Sequence, residues 1–198
     1  MNTRKKFLIN SCNAVGIWES NDIRYRRIAH EQLEELITVV DIIKSVWPKE
    51  CDSIIDKKEY PEIWKLSAKR DMLSDNARIY SAMATEGFIN FYGVLRLGQS
   101  VFNEHFERLS TVNKLKSLFL ICDQIQINDK DPIIFAIKTI AESRNELLHP
   151  KAKELVDDSK RTSTPIPDYA MKVVSSMESF FSEFNEIVPA MELHIKLA

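Results

Sequence analysis

Glycine is scarce in this sequence, and several other things are missing with it. The 198 residues include four glycines and seven prolines, little material for the tight turns of a meander of short strands, which favours helices. Cysteine is thin as well. Cys12, Cys51 and Cys122 lie far apart with no CxxC spacing, so they read as reduced thiols, not as a disulfide frame or a zinc site. No excess of one charge exists either: the formal net charge is −2. Any binding to RNA must then rely on a local basic patch or the cleft of a dimer. No stretch approaches the roughly 18 apolar residues of a bilayer span. The basic start, Arg4-Lys5-Lys6, is followed by only three apolar residues in a row, too few for a signal peptide. The expected setting is the cytoplasm, away from the membrane. Glycine-rich phosphate loops, HExxH, a nucleophile elbow and tight His/Cys/Asp clusters are all absent from the sequence, so no cofactor and no metal is expected.

What is present is the composition of a globular chain, 44% apolar and 28% charged, at a length that usually makes one domain with a real core. The expected fold is all-α: an antiparallel helical bundle with an N-terminal helical extension. Residues 1–25 show no clear period and read as an irregular arm, and 26–190 as a single helical-bundle domain. Ala29, Leu33, Leu36, Val40, Ile43 and Trp47 form one apolar stripe that Pro48 ends. Residues 49–61 read as a loop. The proline-free stretch 66–97 is the longest helical candidate. Ala68, Met72, Ile79, Met83, Val94 and Leu97 fall on one face of it, with Ala84, Phe88, Phe91 and Leu95 opposite. A helix apolar all round belongs in the middle of a bundle. Shorter helices are expected at 101–108 and 111–124, capped by Ser100 and Ser110. Another starts at Asp131-Pro132 and stops at Pro150. After a charged and Thr/Ser/Pro-rich loop at 151–167, a last helix of 168–188 carries Val173, Met177, Phe180, Phe181, Phe184 and Val188 on one stripe.

Two of these stripes are interrupted by polar residues. On an ideal helix Arg144 falls in the middle of Ile133, Ile137, Ile140, Leu147 and Leu148. A guanidinium does not give up its proton, so that position requires a partner or a water-filled cleft. Asn145 and His149 are four apart on a neighbouring face, and His149 precedes Pro150, which favours a frayed helix end. On the long helix Glu86 and Asn90, also four apart, share the face of Ala68, Met72, Ile79 and Met83. One reading is a structural salt bridge and amide contact between packed helices. The other is an active or binding site, where perturbed ionisable groups concentrate. In either case a lone buried charge is expensive, so Glu86 is expected to meet Arg144 directly or through Asn90.

The run Arg144-Asn145-Glu146-Leu147-Leu148-His149 resembles the Arg-polar-x3-His signature of the HEPN family, and Glu86-Gly87-Phe88-Ile89-Asn90 on an earlier long helix resembles members of that family too. The similarity spans about residues 65–190. Arg24 and His30 also satisfy an Arg-x5-His spacing, but that pair lacks an asparagine after the arginine and lies at a helix start. The resemblance implies a small helical bundle, often a homodimer, acting as a metal-independent endoribonuclease, as in toxin–antitoxin or abortive-infection defence systems. It implies attack of a ribose 2′-hydroxyl on the adjacent phosphate, with RNA as substrate and an antitoxin protein as a partner. His149 then supplies a proton acceptor or donor near neutrality and Arg144 the cation for the phosphorane charge. Asn145 orients the histidine or donates to phosphate, and Lys151 and Lys153 hold neighbouring phosphates. Arg144 and His149 lie about 140° apart on one ideal helix, so two copies paired across an axis bring both groups to one cleft. A non-catalytic member of the family, binding a partner protein, RNA or nucleotide, carries the same residues.

Overall fold

The structure is a computed structural model that describes residues 21–48, 58–148 and 166–188, and the backbone alone of residues 6–11 and 14–19. The described body is helical. The irregular arm expected for residues 1–25 is not what is found. Strands β1 (Lys6–Ser11) and β2 (Ala14–Glu19) pair antiparallel, with Phe7 opposite Trp18 and Ile9 opposite Gly16, and both strands touch the longest helix. Phe7, Leu8, Ile9, Val15, Ile17 and Trp18 suit a pleated surface, but three apolar residues in succession hide the alternation by which a strand is recognised.

Helix α1 (Asp22–Val46) starts earlier than expected and ends where Trp47, the residue before Pro48, adopts an extended conformation. Pro61 begins helix α2 (Pro61–Leu97), the longest at 37 residues, occupying the first position, where a missing N–H costs nothing. Gly98 ends it at φ 83°, a left-handed value that favours glycine. Helix α3 (Gln99–His105) and helix α4 (Thr111–Leu118) follow, the latter capped by Ser110, whose Oγ accepts from the Asn113 N–H. The helix expected to continue to 124 widens instead into a π-helical segment, Phe119–Asp123, closed by Gln124 in the left-handed region. Helix α5 (Pro132–Leu148) has proline at its start as expected. The Asp131 carboxylate, however, turns back to accept from the N–H and side-chain amide of Asn128. Helix α6 runs Ile166–Ile187.

Helix α2 touches α1, α3, α4, α5 and α6, the central position expected for it. Its pairing directions follow from the contacts. Tyr25, Gln32 and Glu35 of α1 meet Tyr80, Asn76 and Lys69 respectively, so α1 and α2 run in opposite directions. Tyr169, Phe180 and Phe184 of α6 meet Arg78, Phe88 and Tyr92, so α2 and α6 run the same way. The stripe of α6 is buried at Val173, Met177, Phe180, Phe181, Phe184 and Val188, each large side chain worth about 1.5–3 kcal/mol of burial.

The buried face of α2 is not the one hydrophobicity picks out. Met72 and Met83 are exposed, whereas Leu73, Ala77, Ser81, Ala84, Thr85, Ile89 and Tyr92 face the core. Small side chains let neighbouring helices approach closely, and the hydroxyls of Ser81 and Thr85 are satisfied by carbonyls one turn back. Gly93 extends the same logic. A Cβ there would stand 2.4 Å from the ring of Phe102 on α3, so only glycine admits that contact.

Candidate functional site

The buried stripe of α5, Ile133, Ile137 and Ile140, emerges toward solvent in the last turns, where Leu147 is half-buried and Leu148 exposed. Arg144 projects from this emerging segment toward α2. Its Nη1 donates to Glu86 Oε2 at 2.6 Å, with the two side chains 36% and 35% exposed. The direct contact between the two interrupted stripes is therefore present, and water reaches it. The pair borders a cavity of about 10 Å³ lined also by Thr85, Thr111, Ile137 and Ala141, room for about one water.

Asn90 does not mediate the Arg144 contact. Its Oδ1 accepts from Lys114 Nζ of α4 at 2.7 Å. Lys114 is 1% exposed, and its ammonium stands 5.6 Å from the centre of the Phe102 ring. Burial lowers the Lys114 pKa, opposed by the nearby carboxylates of Glu86 and then Glu107, which favour the charged form. Lys114 was not singled out from sequence, although it lies one turn before buried Leu118. The Glu86 carboxylate thus binds Arg144 directly and acts on Lys114, which Glu107 also influences.

A buried arginine also escapes the sequence reading. Arg78 of α2, its side chain 10% exposed, donates from Nε to Ser143 Oγ at 2.7 Å and from Nη2 to the Ser143 carbonyl at 3.0 Å. It also reaches Glu146 and Asp75 and lies over the Tyr169 ring at 4.5 Å, while the Tyr169 hydroxyl donates to Glu146. One guanidinium thereby ties α2, α5 and α6 together beside Arg144. Its five donors in a planar fork make arginine the residue for such a junction.

Asn145 is exposed on α5. His149, Lys151 and Lys153 lie outside the described residues. Of the Arg24–His30 pair, Arg24 is exposed and His30 Nε2 is 3.0 Å from Glu178, which also binds Arg26. Burial alone would raise the Glu178 pKa, but the hydrogen bonds from Arg26 and His30 outweigh it and hold the carboxyl below its usual range. That cluster joins α1 to α6. At the far end of α2, Arg96 binds Asp123 and the Cys122 carbonyl, and Tyr92 donates to Asp123, fixing the π-helical segment. Among the described residues no group of three His, Cys, Asp or Glu side chains could hold a metal ion, and no helix is long and apolar enough to cross a membrane. No family model matches this chain, and neither any curated protein nor any solved structure matches it.

Proposed function

We propose that this protein is a HEPN-like, metal-independent endoribonuclease built on an antiparallel helical bundle, acting in the cytoplasm as part of a toxin–antitoxin or abortive-infection system. The observation that carries the reading is the placement of Arg144. It stands in an emerging turn of α5, held by Glu86 at 2.6 Å and five residues before His149 in the Arg-Asn-x3-His run. In the proposed reaction the ribose 2′-hydroxyl gives its proton to a base and attacks the adjacent phosphorus. The P–O5′ bond breaks, a 2′,3′-cyclic phosphate forms, and the departing 5′-oxygen takes up a proton. His149 serves the proton transfers and Arg144 compensates the charge of the phosphorane. Asn145 orients the imidazole or donates to phosphate, Lys151 and Lys153 hold flanking phosphates, and Glu86 and Asn90 support the site from α2. Two copies joined across a two-fold axis combine the arginine of one with the histidine of the other, and an antitoxin protein keeps the dimer in check.

A second reading, a non-catalytic HEPN-like module that binds a partner protein, RNA or nucleotide, draws on the closure of Arg144 by Glu86 beside a cavity of about 10 Å³. One experiment separates the two. Purified chain is incubated with total RNA in EDTA beside the variants His149→Ala and Arg144→Ala, with the mass of the active species read by light scattering. Cleavage by a dimer that is lost in both variants is expected. RNA left intact by the natural chain, or cut equally by His149→Ala, refutes the nuclease.

A further inference from the structure

Glu86 acts on two cations of unequal freedom. Arg144 binds it at 2.6 Å from a half-exposed position on α5. Lys114 is 1% exposed and held on α4 by Asn90 at 2.7 Å. Glu86 and Asn90 are one turn apart on α2 and therefore neighbours on one face, and the Glu86 charge acts on the Lys114 ammonium that Asn90 holds. A rotamer change is open to Glu86, which is about one-third exposed. The bond seen here also conflicts with phosphate binding, because a phosphate brought to Arg144 meets the negative charge of the carboxylate already there. Releasing Glu86 into a half-buried cleft with no partner is unfavourable.

Resting on the ribonuclease reading above, we propose that Lys114 is a positioning residue: the fixed counter-cation that takes over the Glu86 carboxylate when Arg144 turns to a phosphodiester. Glu86 is then exchanged between two cations, and Arg144 is freed without stranding a charge. The surroundings of Lys114 fit this role. From α2 it faces Glu86 and Asn90, from α3 the Phe102 ring, and from the stretch between α3 and α4 Glu107. Burial works against its charge, and Glu86 is the carboxylate that most favours keeping it. A lysine that only pinned α4 to α2 through Asn90 would be indifferent to whether Arg144 binds a phosphodiester.

The test uses the full chain and a fluorescent 2′-O-methyl oligoribonucleotide, which keeps the phosphates but lacks the attacking hydroxyl. Lys114→Met, which fills similar space beside Phe102, is expected to weaken binding about tenfold, within the usual range of coupling between sites. Lys114→Arg restores most of the loss. In a Glu86→Gln background the same Lys114→Met change has no further effect, because an uncharged amide needs no counter-cation. In parallel, the Lys114 titration followed by nitrogen NMR shifts to lower pH in Glu86→Gln. Equal affinity of Lys114→Met and natural chain, an undiminished loss in the Glu86→Gln background, or a Lys114 titration unmoved by Glu86→Gln each overturns the role of Lys114 alone. Failure of the natural chain to bind the probe, or equal binding by Arg144→Met, overturns the ribonuclease reading and this inference with it. If Lys114→Met does not melt cooperatively, the Lys114→Arg affinity and the NMR titration decide.

Discussion

Replacing Glu86 by glutamine and Arg144 by methionine, singly and together, measures what their contact is worth. The pair makes one short hydrogen bond, 2.6 Å, with both side chains about one-third exposed. Fully exposed ion pairs contribute about 0–1 kcal/mol, and removing one partner of a fully buried pair costs about 3–5 kcal/mol. Arg144 and Glu86 lie between these limits, nearer the exposed one, and a coupling of about 1–2 kcal/mol is expected. The two single changes should differ. Arg144→Met leaves Glu86 with its influence on Lys114, whereas Glu86→Gln removes both the partner of Arg144 and the carboxylate that most favours the Lys114 charge. Glu86→Gln should therefore destabilise more than Arg144→Met. Urea unfolding near neutral pH, followed by far-ultraviolet circular dichroism, gives the four free energies. Repeating the cycle at about 1 M salt, where screening acts over about 3 Å, should shrink the coupling. Effects that add within about 0.5 kcal/mol, or a larger cost for Arg144→Met than for Glu86→Gln, would refute the idea that Glu86 is a shared counter-ion.

Arg78→Ala should destabilise by about 1.5–3 kcal/mol, since it removes the two bonds of a buried guanidinium to Ser143 and its packing on Tyr169. Glu146→Ala, at a side chain 60% exposed, should cost less than about 1 kcal/mol; urea unfolding showing similar costs for the two contradicts the junction. At the surface, hydrogen bonds from Lys138 and then Lys116 hold the Asp129 carboxyl at about 2, below its ordinary 3.8. A depressed carboxyl stabilises the fold above its unfolded-state value and loses that contribution as pH falls from about 3.8 toward 2. The melting-temperature gap between the natural chain and Asp129→Asn should thus close over that interval, and a gap constant with pH counts against the bridge.

Helix boundaries set by proline were largely legible in the sequence, because proline acts through local geometry that needs no partner. Pro48 and Pro132 mark a helix end and a helix start, as their positions predict, while Pro61, expected at the end of a loop, opens α2 five residues ahead of the expected start. The hairpin at the N-terminus was missed because its apolar residues cluster instead of alternating. The face of α2 was drawn one position off for a different reason. Hydrophobicity ranks Met72 and Met83 above Ser74, Ser81 and Thr85, but close packing of helices selects for small side chains, and the small residues are the buried ones.

That displacement also explains which polar residues were seen. Glu86 and Arg144 interrupt stripes that hydrophobicity picks out, so both are visible in the sequence. Arg78 lies on the buried face of small side chains, among Ser74, Ala77, Ser81 and Ala82, where a buried charge is equally anomalous. With the face redrawn, α2 sends two side chains to α5, Arg78 and Glu86. They are eight residues apart, about 12 Å along an α-helix, yet their partners, Ser143 and Arg144, are consecutive. Contacts that far apart on one helix can converge on adjacent residues of another only by approaching that turn from opposite sides. The segment of α5 from which Arg144 projects is therefore fixed both along the helix axis and in rotation about it. On the proposed nuclease reading, a side chain that meets a phosphate requires that kind of restraint, and a helix end held only by apolar packing would not provide it.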